Sequence, residues 1–238
     1  MMNHSDEAIA LLTSLPRHQG LLESARTPIS RLRLERRLQV LPEDVQRLIG
    51  EMEAVLHWGA LAAETNNQRL VLRQQHLLEQ LALPDDGYPG SRSLRALVAG
   101  VLDYRTLFAA LAARENGQSQ APVGEWTCSR YRLQIERNWQ EPHFHLERAF
   151  PWLPEVLQLM HQQQPWLVEK RLLQLCWQFT GRFHREGDYS LCAVMLYVLR
   201  WDMIDRWTRY NSSDARQRFQ ELCRLGRQTA MTSRGDAA

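Results

Sequence analysis

Apolar side chains recur at intervals of three and four along most of the chain, the spacing of helices that each bury one face. In PEDVQRLIGEMEAVLHWGALAAET the apolar positions are Val45, Leu48, Ile49, Met52, Val55 and Leu56. Pro42 suits the first turn, and Glu43 and Asp44 meet the positive end of the helix dipole. A second stripe, Leu94, Leu97, Val98, Val101, Tyr104, Phe108 and Leu111, runs through SRSLRALVAGVLDYRTLFAALAARENG. Ser91 or Ser93 starts that helix and Gly117 ends it. Further helices are predicted for SRLRLERRLQVL, capped by Ser30, and for QRLVLRQQHLLEQLAL after the break at Asn66 and Asn67. Trp126 to Asn138, LPEVLQLMHQQQ, PWLVEKRLLQLCWQFTGRF and SSDARQRFQELCRLGRQT complete the set, the last capped by Ser212 or Ser213. No segment of four or more residues alternates as a strand would. LPDDGYPG and GQSQAPVG read as loops. The expected fold is all-α: an elongated multi-helix bundle with an N-terminal lobe over 1–120, a C-terminal lobe over 121–230 and a frayed tail over 231–238.

The stretch GDYSLCAVMLYVLRWDMIDRW, Gly187 to Trp207, departs from simple amphipathicity. Asp188 or Ser190 caps it. Leu191 to Leu199 is apolar all round, the pattern of a helix buried in a core or a membrane. A spanning helix needs roughly 20 mainly apolar residues. Here Arg200 arrives after nine, and Asp202, Asp205 and Arg206 follow. Each of these is costly in hydrocarbon, so burial in a protein core is expected. Asp202, Asp205, Arg206 and Arg209 then form one polar stripe, with Asp202–Arg206 and Asp205–Arg209 at pairing distance along a helix.

Composition narrows the function classes. The 238 residues are 44% apolar and 24% charged, with net charge +2. Residues 1–120 carry 13 basic and 14 acidic side chains, and the remainder carries 16 and 13. No part is a basic arm, so nucleic acid is not an expected partner. The start, MMNHSDEAIALLTSLP, lacks a basic region followed by a long apolar run, which predicts no signal peptide and a cytoplasmic location. Cys128, Cys176, Cys192 and Cys223 have neither metal-site nor disulfide-framework spacing. Phosphate-binding glycine loops and nucleophile motifs are absent from the sequence, and no cofactor is expected. Glu141-Pro-His143-Phe-His145-Leu-Glu147 is the one metal-like cluster; in extended chain, alternate histidines share a side. Arg130, Tyr131, Arg132 and Trp139 form a small basic-aromatic group. Of eight tryptophans, six lie between Trp126 and Trp201, as in a tightly packed core or a protein-docking surface.

Several of these segments together resemble a known family. Pro165, Glu169 and Trp177 stand in order, followed by Phe183 to Asp188, then Tyr197, Leu199, Arg200, Arg206 and Trp207, then Phe219. LLTSLP at Leu11–Pro16, LPEDVQRL at Leu41–Leu48 and DYRTLFAALAAREN at Asp103–Asn116 agree with it. Thr106 stands where the family usually has asparagine. The pattern is similar to a small family encoded beside bacterial V-type ATPases, which looks like a shortened form of the C (or d) subunit of V/A-type ATPases. The resemblance implies a non-catalytic protein of that kind, linking the central stalk to the membrane rotor ring. Its partners would be stalk and ring components concerned with proton or sodium transport. It would lie peripherally on the cytoplasmic face of the inner membrane, without inserting. The interface candidates are Asp103, Arg105, Arg114, Arg200, Asp202, Asp205, Arg206 and Trp207. Asp103, Thr106, Ala110 and Arg114 form a second line on one helix face. Two alternatives stand beside this reading: a helical accessory or assembly chaperone of a membrane complex, and a metal-dependent enzyme using His143 and His145.

Overall fold

The computed structural model describes residues 4–56, 68–82, 91–185 and 187–211. Among these the protein is all-α, with nine α-helices and one 3₁₀ turn. In order they are α1 (His4–Ser14), the 3₁₀ turn (Leu21–Glu23), α2 (Arg31–Leu38), α3 (Glu43–Leu56), α4 (Gln68–Gln80), α5 (Ser91–Glu115), α6 (Arg132–Arg137), α7 (Leu153–His161), α8 (Pro165–Gly181) and α9 (Leu191–Asn211). The helix predicted from Ser212, the LPDDGYPG loop, the Asn66–Asn67 break, Phe219, Cys223 and the tail lie outside the described residues.

Local chemistry explains the boundaries. The Ser30 side chain accepts from the Arg33 amide at the start of α2. Glu43 and Asp44 occupy the first turn of α3. Gly117 adopts φ +92°, the left-handed conformation that glycine enters without steric cost. There it closes α5, its amide bonding Arg114 O while the Gln118 amide bonds Ala113 O, so two end carbonyls of the helix are satisfied. Ser190 starts α9: its amide donates to Asp188 Oδ1 at 2.9 Å, and its own hydroxyl accepts from the Ala193 amide.

The helix expected over Trp126–Asn138 is shorter, covering only 132–137. Side chains on α5 hold the preceding residues in an irregular path. Ser129 Oγ donates to Asp103 Oδ1 at 2.7 Å, and Arg130 Nε donates to Asp103 Oδ2 at 2.8 Å. The Thr106 and Thr127 hydroxyls meet at 2.6 Å. The Ser129 hydroxyl also accepts from the Tyr131 amide, a local competitor with helix formation.

Helices α5 and α9 pack against each other and against α8 at the centre. One apolar cluster runs from Ala8 to Trp207 and crosses residue 120 without interruption. The packing therefore does not confirm a division into two lobes. The α5 segment Arg92–Glu115 is long and apolar enough to cross a bilayer, but 72% of its apolar window is buried by the rest of the protein. Such burial is what the central helix of a helical core requires.

Candidate functional site

The concavity lies where the end of α1 and the α8–α9 connection meet the side of α9. Its volume is about 580 Å³. After α1 the chain crosses α9 and is tied there twice. The Tyr197 hydroxyl donates to Pro16 O at 2.9 Å, and His18 Nε2 lies 3.1 Å from Tyr197 O. A carbonyl only accepts, so Nε2 carries the proton. His18 Nδ1 is then buried with no hydrogen-bond partner among the described residues. The His18 ring packs 4.1 Å from Tyr197 and edge-on to Trp177 at 6.4 Å. Burial pushes its pKa down to about 4; the bond to Tyr197 O opposes this and the Arg200 charge adds to it. His18 is therefore neutral near pH 7.

On the other side, α8 ends at Gly181 and the chain turns through Phe183, His184 and Arg185. Gly187, at φ +73°, lets it reverse into the Asp188–Ser190 cap of α9. Leu12, Leu15 and Leu196 give the concavity apolar walls. Phe183, Tyr189 and Tyr197 add rings. The described lining also contains three arginines, Arg17, Arg185 and Arg200, against one carboxylate, Asp188. Arg17, His184, Arg185 and Tyr189 are exposed, whereas Arg200 is half-buried.

Arg200 is the most constrained of these cations. Its guanidinium lies 4.6 Å from the Trp177 ring centroid. Gly181 leaves room for the Nη2 end; a Cβ there would stand 3.3 Å from it. Arg200 Nε is buried without a hydrogen-bond partner among the described residues. Desolvation lowers the pKa of this group, since removing a charge from water disfavours the ionised form.

The other expected interface residues lie in separate places. Asp103 and Arg105 are 2% and 1% exposed. Asp103 anchors the 129–130 segment, and Arg105 Nη1 donates to Val55 O at 2.9 Å. Burial raises the Asp103 pKa and lowers that of Arg105 to about 10. The line Asp103, Thr106 and Ala110 thus points inward rather than to a partner: on a helix surrounded by other helices, the polar stripe meets polar partners inside the fold. Arg114 donates to Glu141 O and Pro142 O at 2.6 and 2.7 Å.

The stripe on α9 also divides. Asp205 and Arg209 pair at 2.7 Å. Arg206 instead pairs with Glu169 of α8. Asp202 lies 3.7 Å from Arg31, whose guanidinium is held by Glu53 and Glu35 at 2.6 and 2.7 Å. The Asp202 pKa is pushed up to about 7, chiefly by burial, then by the Glu53 charge, with Arg31 opposing. Trp207 is 7% exposed, with Lys170 Nζ 5.8 Å from its ring centroid. Of the eight candidates only Arg200 lines the concavity.

The metal-like cluster folds into turns, with φ +55° at Phe144 and +56° at His145. His143 Nδ1 meets Glu147 Oε1 at 3.0 Å. Among the described residues no group of three or more His, Cys, Asp or Glu side chains is placed to hold a metal ion. In the basic-aromatic group, Arg130 pairs with Asp103, Arg132 contacts Glu125 and Glu136, and Trp139 is buried. Cys176 and Cys192 are buried thiols, and Cys128 is partly buried.

His18, Arg17 and Arg185 are not legible as site residues from the sequence. His18 and Tyr197 stand 179 positions apart, and no local pattern marks such a pair. The only sequence signal is positional: Arg17 and His18 directly follow the LLTSLP segment. No family model, curated protein or solved structure matches the chain.

Proposed function

We propose that the chain is a non-catalytic docking component of a bacterial V-type ATPase, peripheral on the cytoplasmic face and joining the central stalk to the rotor ring. One observation carries the reading. The residues that resemble the V-type ATPase-associated family over 165–207 converge on the α8–α9 pair. Glu169 pairs with Arg206, Trp177 stacks on Arg200, and Phe183, Asp188, Tyr197 and Arg200 line the concavity. These dispersed positions brace α8 against α9 beside the concavity, which supports a rigid face for a partner.

The physical role is mechanical. Long-range tethers join segments far apart in the chain. Trp201 Nε1 donates to Ile29 O at 2.7 Å, and Arg105 reaches Val55 O. Buried bonds of this kind resist opening because the separated groups would lose their partners away from water. The test is affinity capture of the tagged full chain from native membranes, with and without detergent. Rotor and stalk proteins should co-purify, and the chain should persist in the mature complex. Recovery of no ATPase component removes the proposal. Recovery only from immature assemblies replaces it with the chaperone reading.

A further inference from the structure

We infer that the concavity between α1, the α8–α9 connection and α9 is a docking site for an acidic peptide segment of a partner protein. A carboxylate would meet Arg200, and a neighbouring apolar side chain would rest against Leu12, Leu15 and Leu196. The inference deepens the docking reading and rests on it, but not on which complex supplies the partner.

The charge balance selects the class of occupant. Among the described lining residues three arginines face the space and one carboxylate answers them. That carboxylate, Asp188, is already engaged by the Ser190 amide. A cationic concavity with apolar walls attracts a negative group attached to an apolar body. Arginine geometry narrows this further. One face of the Arg200 guanidinium is covered by Trp177, so its N–H edge is the part left for recognition. Guanidinium edges bind carboxylates through two parallel hydrogen bonds. The buried Nε has no such acceptor among the described residues. Because Nε is closed to solvent, an incoming carboxylate would bond the two Nη groups and supply the missing countercharge.

Shape favours a segment of a longer chain over a free metabolite. Small-molecule sites of roughly 300–1,000 Å³ enclose most of their ligand. This space falls in that size range but opens to solvent on the side where Arg17, His184 and Arg185 are exposed. A peptide can place two or three side chains inside and leave along the open side. The rings of Phe183, Tyr189 and Tyr197 beside arginine match the residue types enriched where proteins dock.

The full chain should be titrated against a fluorescein-labelled peptide alternating glutamate and leucine, read by fluorescence anisotropy. Controls carry glutamine or lysine in place of glutamate. Saturable binding of the glutamate peptide alone is expected, weakening as salt rises. Arg200→Gln should weaken it at least about tenfold, and Arg200→Lys should restore only part, since a point charge replaces a fork. Arg200 packs on Trp177, so the pair Arg17→Gln and Arg185→Gln provides a second test at exposed positions. It should weaken binding several-fold while leaving the melting temperature unchanged. No binding of the glutamate peptide overturns the inference. So does equal binding of the glutamine or lysine peptide, or wild-type affinity in both sets of variants. Displacement by inorganic phosphate or benzoate at concentrations matching the peptide would identify a small-anion site instead. Peptide binding without ATPase components in the membrane capture removes the complex and keeps the docking site. The reverse result removes the docking site and keeps the complex.

Discussion

Replacing Asp202 by asparagine should stabilise the protein above neutral pH. Asp202 sits on α9 facing Arg31 at 3.7 Å, but that guanidinium is already shared by Glu53 and Glu35. Asp205 and Arg209 are the other charges that act on it. The carboxyl has a folded pKa of about 7 against an ordinary 3.8. A raised folded pKa means that the native state holds the proton more tightly than the unfolded chain. This contribution is largest below pH 4 and is lost as pH rises towards 7. At 1.36 kcal/mol per pH unit the full loss is about 4 kcal/mol as a ceiling. Relaxation and the residual water contact of a side chain 20% exposed reduce it; about 2 kcal/mol is the expected gain for the neutral isostere at pH 8.

His18 opposes it over nearly the same range. Its folded pKa of about 4 lies below the ordinary 6.5, so the unfolded chain binds the proton more tightly. Its contribution therefore rises between pH 4 and 6.5. In the native sequence the two slopes offset one another. The assay is urea unfolding of the full chain and of D202N at half-unit steps from pH 4 to 8.5. The variant should be more stable at pH 8, by about 4–8 °C in parallel thermal melts for a chain of this size. The exposed His18 slope should make its stability climb from pH 4 to 6.5, while the native protein stays comparatively flat. D202N less stable at pH 8, or two parallel pH curves, would refute the reasoning and show that the contact with Arg31 outweighs desolvation.

Substitutions at three further positions test the packing. At Gly100 an added Cβ would enter the space of the Phe179 ring, so Gly100→Ala should cost about 1–3 kcal/mol through overpacking, seen as a lower urea midpoint. Trp201→Phe removes the donor to Ile29 O while keeping most of the apolar body; a loss of about 1–3 kcal/mol is expected from equilibrium unfolding. Arg105 fills a site 1% exposed and donates to Val55 O, so Arg105→Ala should cost about 2–5 kcal/mol through the cavity and the lost donor. Arg105→Met, which refills the volume without a charge, should recover part of that in the same denaturation series.

The helical class and most helix starts were legible because they depend on neighbours in sequence. Ser30 caps α2, Glu43 and Asp44 open α3, and Gly117 closes α5 through interactions spanning a few residues. The burial of Leu191–Leu199 followed from charges placed too close behind it for a bilayer span. Tertiary packing decided what the polar residues meet. Asp103, Thr106 and Ala110 share a helix face in any helical fold of the chain, but only the approach of Thr127 to Arg130 turns that face inward. Arg206 could pair with Asp202 one turn away; the closeness of α8 gives it Glu169 instead. The concavity depends wholly on that level, because it joins Arg17 and His18 to Arg185, Tyr197 and Arg200 across most of the chain. Periodicity reports which face of a helix is apolar. It does not specify which distant segment crosses that face, and so leaves the charge and shape of the space between them to the folded structure.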